Sequence, residues 1–316
     1  MNLNNPPLAI RIFKRTLGIV PYLVCFVLLA LSESFSKFSL ANAVLQLVLF
    51  LLVVNIPAYR TKRMSYVDIA WPWGLVTIGL VALLLGEGYW LRKVIISSMY
   101  LIAGLRMGVF AIKMFFKGHL NQELPRYAYQ RKRWKKGGYK NLNSSLQYEI
   151  SIQGLANMTF LALPAVFQSF NPTPYLTPLE IVGYSLWLLS LLTEHIADLQ
   201  KVRFAKQAYS AGNRDACCDV GLWKYSRHPN YFAEWMVWNA LILSSIPSVF
   251  YFLRIENLVI GIGLTLGVLF ISRLLYITLV YYTGAVPSEY YSLQKRPSYE
   301  AYKQKTNQFF PGRPKS

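Results

Sequence analysis

The 316-residue chain is 54% hydrophobic and only 15% charged, and its mean hydropathy is positive. This composition excludes an ordinary water-soluble enzyme, because a soluble fold needs more charged surface than the chain supplies. The formal net charge is +19, from 33 Lys and Arg residues against 14 Asp and Glu. In a soluble domain that excess would favour nucleic-acid binding, but in so apolar a chain it is better explained by the membrane, and no nucleic-acid partner is expected.

Apolar runs of about 16 to 24 residues recur along the sequence, close to the length that a helix needs to cross a bilayer. They predict an all-α, polytopic transmembrane bundle of about eight spans. The spans are predicted at residues 16–32, 41–57, 67–86, 94–115, 150–170, 179–197, 231–247 and 257–282. No internal repeat and no linker rich in Pro, Gly or Ser separates two folding units. Residues 1–316 are therefore expected to form one integral-membrane domain.

The positive charges predict the orientation of these spans. If the N-terminus is cytosolic, the cytosolic segments hold 26 of the 33 Lys and Arg residues and the external segments hold four. Because Lys and Arg concentrate in cytoplasmic loops, both termini are predicted to be cytoplasmic and the number of spans to be even. The basic run from Arg131 to Lys136 is interpreted chiefly as a determinant of loop retention and of attraction to anionic lipid. Its alternative role is in binding an anionic cofactor.

Ionisable residues inside apolar spans are functional candidates, because each costs at least roughly 2.5 to 3.5 kcal/mol to insert. The candidates are Asp68, Arg106, Glu194, His195 and Arg273. An ion pair between Asp68 and Arg106 would satisfy the same cost, so a structural and a functional interpretation of these two residues both stay open. Glu194, Asp198 and Lys201 share one helical face at the end of the sixth span. Two interpretations of this face stay open. It binds polar ligand groups, or it is only an interfacial charge cluster at the point where the helix leaves the bilayer.

Residues 221–235 form the most informative segment, which leads from a basic loop into the seventh span. Pro229 disfavours helix at His228, so Arg227 and His228 are predicted to be extended or in a turn, and Asn230 onward to be helical. Arg offers a planar fork for phosphate, a helix start offers free N–H groups, and aromatic rings offer faces for a flat ring. The segment therefore suits a phosphate-bearing cofactor, although the same residue types also form the ordinary interfacial belt.

Neither a metal site nor a disulfide framework is expected. No second His, Cys or carboxylate stands at ligand spacing from His228. The three cysteines are Cys25 and the adjacent pair Cys217 and Cys218, and a bond within that pair would be strained.

Residues 221–234 resemble the signature of the bacterial DUF1295 membrane proteins, which belong with the steroid 5-alpha-reductase and sterol reductase superfamily. Ala233 departs from the pattern, since a Gly is common there, and the change is tolerable unless the backbone approaches the ligand very closely. Further segments resemble other family blocks, at residues 68–71, 125–127, 194–204 and 284–311. The resemblance covers about residues 66–316, and its cofactor-binding part is expected within 194–316.

The resemblance implies a reductase that transfers hydride from NADPH to an activated carbon-carbon double bond in a steroid-like or other lipid substrate. The implied NADPH-binding residues are Glu194, Asp198, Lys201, Arg203, Trp223, Tyr225, Arg227, His228, Asn230, Tyr231, Arg296 and Tyr302. The basic side chains would meet the phosphates, the aromatic ones the rings, and the amide and carboxylates the amide or ribose groups. No Gly-x-Gly-x-x-Gly motif follows a strand, so a Rossmann domain is not expected.

The chemistry also needs a proton donor or a polarising group at the substrate oxygen. The superfamily implies a carboxylic acid or a Tyr for this role. Tyr66 and Asp68 are the first candidates in this chain, and Glu234 is the next.

Two other functions are compatible with the sequence. An S-adenosylmethionine-dependent methyltransferase of the isoprenylcysteine carboxyl type shares an Arg-His-Pro-type motif, but its cofactor has no phosphates, whereas basic residues surround this motif. A non-catalytic membrane protein that binds or transports lipid is the second alternative, although no inverted repeat supports transport. The reductase is expected in a bacterial inner membrane, with its NADPH site facing the cytoplasm and a lipid-like substrate and membrane lipids as its partners.

The predicted orientation is tested with topology reporters. A reporter fused after Lys140 should be cytoplasmic and one inserted near Asn171 should be external, because the intervening segment contains the predicted fifth span. The opposite pattern would overturn the assignment of the cytosolic side.

Overall fold

The chain is helical throughout the part that its computed structural model describes, residues 7–213 and 215–315, and this part contains no strand. The α-helices of these residues are α1 (Leu8–Leu31), α2 (Ser36–Phe50), α3 (Ile56–Thr61), α4 (Val67–Leu85), α5 (Trp90–Phe116), α6 (Pro125–Lys136), α7 (Leu142–Met158), α8 (Leu163–Phe170), α9 (Pro178–Ser210), α10 (Pro229–Ile255), α11 (Leu258–Ile277), α12 (Ala285–Lys295) and α13 (Tyr299–Lys305). A π-helical turn, Leu51–Asn55, joins α2 to α3, and a second one, Thr278–Tyr282, follows α11. The predicted all-α fold class is confirmed.

Seven helical segments among the described residues are long and apolar enough to cross a membrane. They are Ala9–Leu31, Ser36–Thr61, Val67–Leu85, Trp90–Phe116, Leu142–Phe170, Pro229–Ile255 and Leu258–Lys295. Each coincides with one of the eight predicted spans, and the chain is an integral membrane protein. The remaining predicted span, 179–197, is helical as part of α9 but is not among the seven. The even number of spans and the cytoplasmic location of both termini stay predictions.

The chain divides into two compact units. The first comprises Met1–Pro178 and Ser245–Phe270, and the second comprises Leu179–Ser244 and Ile271–Ser316. The single domain predicted from the sequence stays a prediction. The second unit contains every predicted NADPH-binding residue, and the first contains two of the three catalytic candidates.

Buried polar side chains connect α2, α4 and α7 within the first unit. Asn42 and Gln46 lie one turn apart on α2, and like Asn157 of α7 they are fully buried. The amide of Gln46 donates to the Gly74 carbonyl at 2.8 Å, and that of Asn157 donates to the Trp71 carbonyl at 3.1 Å. Inside a bilayer these groups have no water to bind, so their amide N–H groups donate to groups of neighbouring helices, while Oδ1 of Asn157 has no partner among the described residues.

The same network covers a break in the fifth apolar segment. The helix α7 ends at Met158, and Thr159 leaves helical geometry with a φ of −122° and a ψ of −96°. The carbonyls of Asn157 and Met158 lie beside this break, and the Asn42 amide donates to them at 3.2 and 3.3 Å. The polar side chain on α2 therefore supplies hydrogen bonds at the point where the helix is interrupted.

The amphipathic helix α6 packs on the first unit through one face. Tyr127, Gln130 and Trp134 are buried at spacings of three and four residues, and the intervening positions are mostly Arg and Lys. The two aromatic side chains join a hydrophobic cluster that includes Met64 and Leu146. The basic run predicted as a loop is therefore an ordered helix with an apolar and a charged face.

Gly74→Ala should destabilise the protein, because a Cβ at Gly74 would lie 2.6 Å from Oε1 of Gln46 and would also collide with the Asn157 amide. Overpacking of this kind typically costs about 1–3 kcal/mol, so the melting temperature of the purified protein in detergent should fall by several degrees. Gly261→Ala is the matched control, since the nearest atom to its new Cβ is the flexible Leu253 Cδ2 at 3.2 Å. Equal losses in both variants would contradict the packing explanation.

Candidate functional site

A cavity of about 250 Å³ lies in the second unit, bounded by the end of α9, the 221–228 segment, α12 and α13. Six of the twelve predicted NADPH-binding residues line it, namely Lys201, Trp223, Arg227, His228, Arg296 and Tyr302. The other lining residues are Phe204, Ala205, Ala208, Tyr209, Asn213, Ala216, Cys217, Cys218, Ser288, Ser292 and Tyr299. The structure thus brings together three segments that resemble family blocks. They are the helix end (194–204), the signature (221–234) and the C-terminal tail (284–311).

A tight turn fixes the start of the signature against α9. Gly221 has a φ of +57°, and a Cβ there would lie 2.6 Å from Oε1 of Gln200, so the position requires glycine. The following N–H, of Leu222, donates to the same Gln200 oxygen at 2.9 Å. Trp223 is buried and donates from Nε1 to the Ala197 carbonyl at 2.9 Å. These contacts hold the Trp223 ring as a rigid wall of the cavity.

Arg227 precedes α10, which begins at Pro229, one residue before the predicted start at Asn230, and the Arg227 guanidinium is buried. The Nε donates to Oε1 of Glu289 at 2.8 Å, and Nη2 donates to Oε2 at 3.2 Å. The Nη1 donates to the carbonyls of Lys303, at 2.9 Å, and Thr306. Most of the hydrogen-bonding capacity of Arg227 is therefore used inside the protein. Its predicted phosphate contact stays a prediction.

His228 lies between Glu289 and an aromatic ring. Its Nε2 is 3.1 Å from Oε1 of Glu289, and its ring stacks on Tyr231 at a centroid distance of 5.3 Å. Burial lowers the pKa of His228 below its ordinary value, the Glu289 carboxylate opposes this shift, and the positive charges of Lys201 and Arg227 add to it. At neutral pH the imidazole is therefore an uncharged hydrogen-bonding wall of the cavity.

The C-terminal tail runs along the signature and is hydrogen-bonded to it at several points. The Arg227 N–H donates to the Asn307 carbonyl at 2.8 Å, and the Ser226 hydroxyl donates to the Phe309 carbonyl at 2.9 Å. The Tyr302 hydroxyl donates to the Trp223 carbonyl at 2.5 Å. Because backbone groups of both segments take part, the two segments form one wall.

Two basic side chains in the cavity differ from Arg227. Among the described residues, Lys201 and Arg296 have neither an ion pair nor a hydrogen bond from the side chain. The Lys201 Nζ lies 4.2 Å from the centroid of the Trp223 ring. Burial lowers the pKa of Lys201, the neighbouring Cys218 and Asp198 oppose the shift, and the nearby Arg296 charge adds to it. Asp198 acts on Lys201 only over a distance, so among the described residues no carboxylate forms an ion pair with either Lys201 or Arg296.

The remaining predicted NADPH-binding residues lie outside the cavity lining. Asn230 donates from Nδ2 to Oδ1 of Asp198 at 3.0 Å, and its own Oδ1 is buried with no partner among the described residues. Glu194 is buried in α9, one turn before Asp198. Arg203 and Tyr225 are exposed to solvent. Tyr231, which stacks on His228, is a second layer behind the wall.

Asp68, the carboxyl candidate of the first unit, is bound by two residues of α6. Its carboxylate accepts hydrogen bonds from the Arg126 guanidinium and from the Tyr127 hydroxyl. The pairing with Arg106 considered from the sequence is wrong, because Arg126 occupies the carboxylate. Two weaker family blocks, 68–71 and 125–127, therefore meet in space. Burial and the charge of Asp68 raise the pKa of Tyr127, so this phenol keeps its proton at neutral pH.

The other two catalytic candidates lie in different units. Tyr66 precedes α4 in the first unit, and its hydroxyl accepts a hydrogen bond from Nη2 of Arg63 at 3.1 Å. Glu234 lies in the second turn of α10, in the second unit, and is partly exposed. Neither residue lines the cavity.

Several residues that build the cavity were missed from the sequence. Ser288 and Ser292 lie four residues apart on one face of α12, and Arg296 follows at the same spacing directly after the helix ends at Lys295. This spacing was the signal that could have grouped them. Cys217 and Cys218 were considered only as disulfide partners. Glu289 lies in the tail segment 284–311 but has no predicted role, because no local spacing links it to Arg227, which lies 62 positions earlier.

Comparison with known proteins identifies one family. The DUF1295 family, described as "Protein of unknown function (DUF1295)", matches residues 54–306, which is most of the chain. No curated protein and no solved structure matches the chain significantly. The matched residues include the cavity of the second unit and the Asp68 cluster of the first.

Glu289→Ala should destabilise the protein strongly, because it leaves the buried Arg227 charge without its carboxylate. Removing one partner of a buried ion pair typically costs about 3–5 kcal/mol. The melting temperature in detergent should fall, and the tail should become more sensitive to limited proteolysis.

The matched control is Lys295→Ala, which removes an exposed charge from the same helix and should leave both properties unchanged. Glu289→Gln should lie between the two, because its amide oxygen still accepts from Arg227. A wild-type melting temperature for Glu289→Ala would show that Arg227 does not depend on this carboxylate.

Proposed function

We propose that this chain, which belongs to the DUF1295 family of the steroid 5-alpha-reductase-like superfamily, is a membrane reductase that uses NADPH. Its substrate would be a steroid-like or other lipid molecule with an activated carbon-carbon double bond. The observation that carries the proposal is the pair of unneutralised cations, Lys201 and Arg296, in a cavity with aromatic walls. Such a cavity suits a ligand that combines a flat ring with phosphate groups.

The size of the cavity limits which part of NADPH it would hold. Ligand pockets typically enclose about 300–1,000 Å³, and this cavity encloses about 250 Å³. We therefore assign to it the phosphate-bearing nucleoside end of the cofactor, with Lys201 and Arg296 at the phosphate. Trp223, Tyr299 and Tyr302 would supply apolar faces for the base.

A polar pair beside the cavity supports contacts to the rest of the cofactor. The unpartnered Oδ1 of Asn230 is a hydrogen-bond acceptor that the described protein does not use. Buried acceptors without a partner are costly, so this oxygen would gain from an N–H or O–H of a ligand. Asp198, which holds the Asn230 amide, would fix the orientation of that acceptor.

When bound, NADPH supplies the hydride, and the protein must then handle a proton at the substrate oxygen. Tyr66, Asp68 and Glu234 are the candidates for this role. The Tyr127 hydroxyl donates to Asp68, so a protonated phenol and a carboxylate form one hydrogen-bonded pair, which Arg126 stabilises. We therefore add Tyr127 to the candidates as the proton-bearing member of that pair.

The proposal also includes a location. Six Lys and Arg residues lie between Lys201 and Arg227, and such segments are retained in the cytosol. The cofactor cavity would then face the cytoplasm of a bacterial cell, and the lipid substrate would enter from the inner membrane.

Lys201→Ala and Arg296→Ala should each weaken NADPH binding about tenfold or more, because each removes a charge-assisted contact to phosphate. Titration of the detergent-solubilised protein, followed by tryptophan fluorescence or thermal shift, measures the affinity. Alkylation of Cys217 and Cys218 by N-ethylmaleimide gives a second readout, since a bound ligand would shield thiols that line the cavity. Oxidation of NADPH by lipid enones then tests turnover.

Lys295→Ala is the matched control, because it removes the neighbouring charge without altering the cavity lining. Its affinity for NADPH should equal that of the wild type. If S-adenosylmethionine stabilised the protein and NADPH did not, the reductase assignment would be wrong and the methyltransferase would be the favoured function. If the protein bound NADPH but reduced no lipid enone, it would be a non-catalytic binding protein. If it did not bind NADPH, the cofactor assignment would be wrong.

A further inference from the structure

The first unit carries a second concentration of positive charge, at the start of α1. Arg11 and Arg15 lie one turn apart on α1, and both guanidinium groups lie over the ring of Tyr139, at 5.7 and 4.0 Å from its centroid. These distances place the two charges within about 10 Å of each other, where like charges repel measurably. Lys14 on α1 and Lys140 beside the ring add two further positive charges in the sequence next to this pair.

The aromatic contacts hold Arg15 in place without neutralising it. Its guanidinium lies 4.9 Å from the centroid of the Tyr148 ring, and its Nη2 donates to the Ser145 hydroxyl at 2.5 Å. The Nε of Arg11 is buried and has no partner among the described residues. Neither residue forms an ion pair within the described chain. The geometry therefore presents two guanidinium groups that lack an anion.

A neighbouring carboxylate, Glu149, is already hydrogen-bonded elsewhere. Glu149 follows Tyr148 in α7 and accepts hydrogen bonds from Nε2 of Gln130, at 3.3 Å, and from Nε1 of Trp134, at 3.4 Å. Its charge acts on Arg15 only over a distance, since no ion pair joins them. The charge of the cluster is thus left for a ligand.

The cluster lies where two apolar segments begin. Arg15 is in the second turn of α1 and Tyr148 in the second turn of α7, and the Tyr148 hydroxyl donates to the Arg15 carbonyl at 3.0 Å. Both helices belong to segments that are apolar enough to span a membrane. Directly after the cluster, α1 exposes large apolar side chains, among them Leu17 and Val20. Such a position at the start of two apolar segments would place the guanidinium groups at the level of lipid headgroups, next to a surface suited to acyl chains.

We propose that Arg11 and Arg15, held by Tyr139 and Tyr148, bind the phosphate headgroup of an anionic phospholipid together with the adjacent Lys14. Arg forms paired hydrogen bonds with phosphate oxygens, and the exposed apolar side chains of α1 would contact the acyl chains of the same lipid. A soluble phosphate would make only the first of these contacts. The proposal does not depend on the reductase function.

Native mass spectrometry of the full-length protein in detergent tests the site, with phosphatidylglycerol as the probe and phosphatidylcholine as the zwitterionic reference. The wild type should retain phosphatidylglycerol in preference to phosphatidylcholine. The double variant Arg11→Gln with Lys14→Gln should retain phosphatidylglycerol about tenfold less well, because two charged contacts are lost. Tyr139→Leu keeps every charge but removes the ring that gathers the two guanidinium groups, and it should also lose the preference.

Two control variants separate a built site from general attraction. Lys206→Gln with Lys295→Gln removes two exposed charges from α9 and α12, and Lys37→Gln with Arg254→Gln removes two exposed charges outside the cluster. Both should retain phosphatidylglycerol as the wild type does. An equal loss in either variant would show that charge alone attracts the lipid and would overturn the site.

The source of the phosphate is tested in the same preparation. Inorganic phosphate at matched concentration should not displace phosphatidylglycerol or raise the melting temperature. If phosphate alone reproduces the stabilisation, the cluster binds a soluble anion and the lipid assignment is wrong. Unchanged elution and melting of the variants in phosphatidylcholine show that they are folded.

Discussion

The buried guanidinium of Arg227 imposes a requirement on the architecture of the second unit. A charge removed from water is stable only when an opposite charge and hydrogen-bond acceptors surround it. Glu289 of α12 provides the carboxylate, and the carbonyls of Lys303 and Thr306 provide the remaining acceptors. These partners come from the tail, whereas Arg227 belongs to the signature before α10. The signature and the tail are therefore interdependent, and the cavity between them exists only when both are in place.

Aromatic packing fixes the far end of the same tail. Phe309 and Phe310 contact Trp235 at centroid distances of 6.0 and 5.7 Å, and they contact Tyr276 at 5.3 and 6.0 Å. Trp235 also donates from Nε1 to the Ser272 carbonyl at 3.0 Å. The tail is thus held by a polar clamp at Arg227 and by an apolar cluster a few residues later. Two kinds of interaction at two points restrain it more than either would alone.

The sequence predicted those features that depend on local patterns. Apolar runs gave the all-α fold class and the positions of seven apolar segments, and Pro229 gave the start of α10 to within one residue. The helix α9 continues well beyond the predicted span 179–197, because the apolar run ends near residue 197 while helical geometry continues to Ser210, just before Gly212 with its φ of +72°. Hydropathy reports the membrane, whereas helix ends depend on backbone geometry.

Contacts between distant segments could not be predicted in this way. Asp68 was given Arg106 as a possible partner because both lie in apolar segments, but its partner Arg126 is on a surface helix. Similarly, no spacing rule joins Arg227 to Glu289. The blocks 68–71 and 125–127 each resemble the family on their own, and the structure shows that they form one cluster through the contacts of Asp68 with Arg126 and Tyr127.

Charge balance also separates the basic residues that looked alike in the sequence. Arg227 is neutralised by Glu289, whereas Lys201 and Arg296 face the cavity with no carboxylate bound to them among the described residues. The interaction energy of a ligand anion is small beside a guanidinium that a carboxylate already neutralises, and it is largest beside a cation without such a partner. Partly dehydrated surroundings increase this difference, because charges interact more strongly where water is scarce. The negative groups of a ligand should therefore lie towards α9 and the end of α12. The residues of the signature then act chiefly as the rigid aromatic and polar wall against which the rest of that ligand is placed.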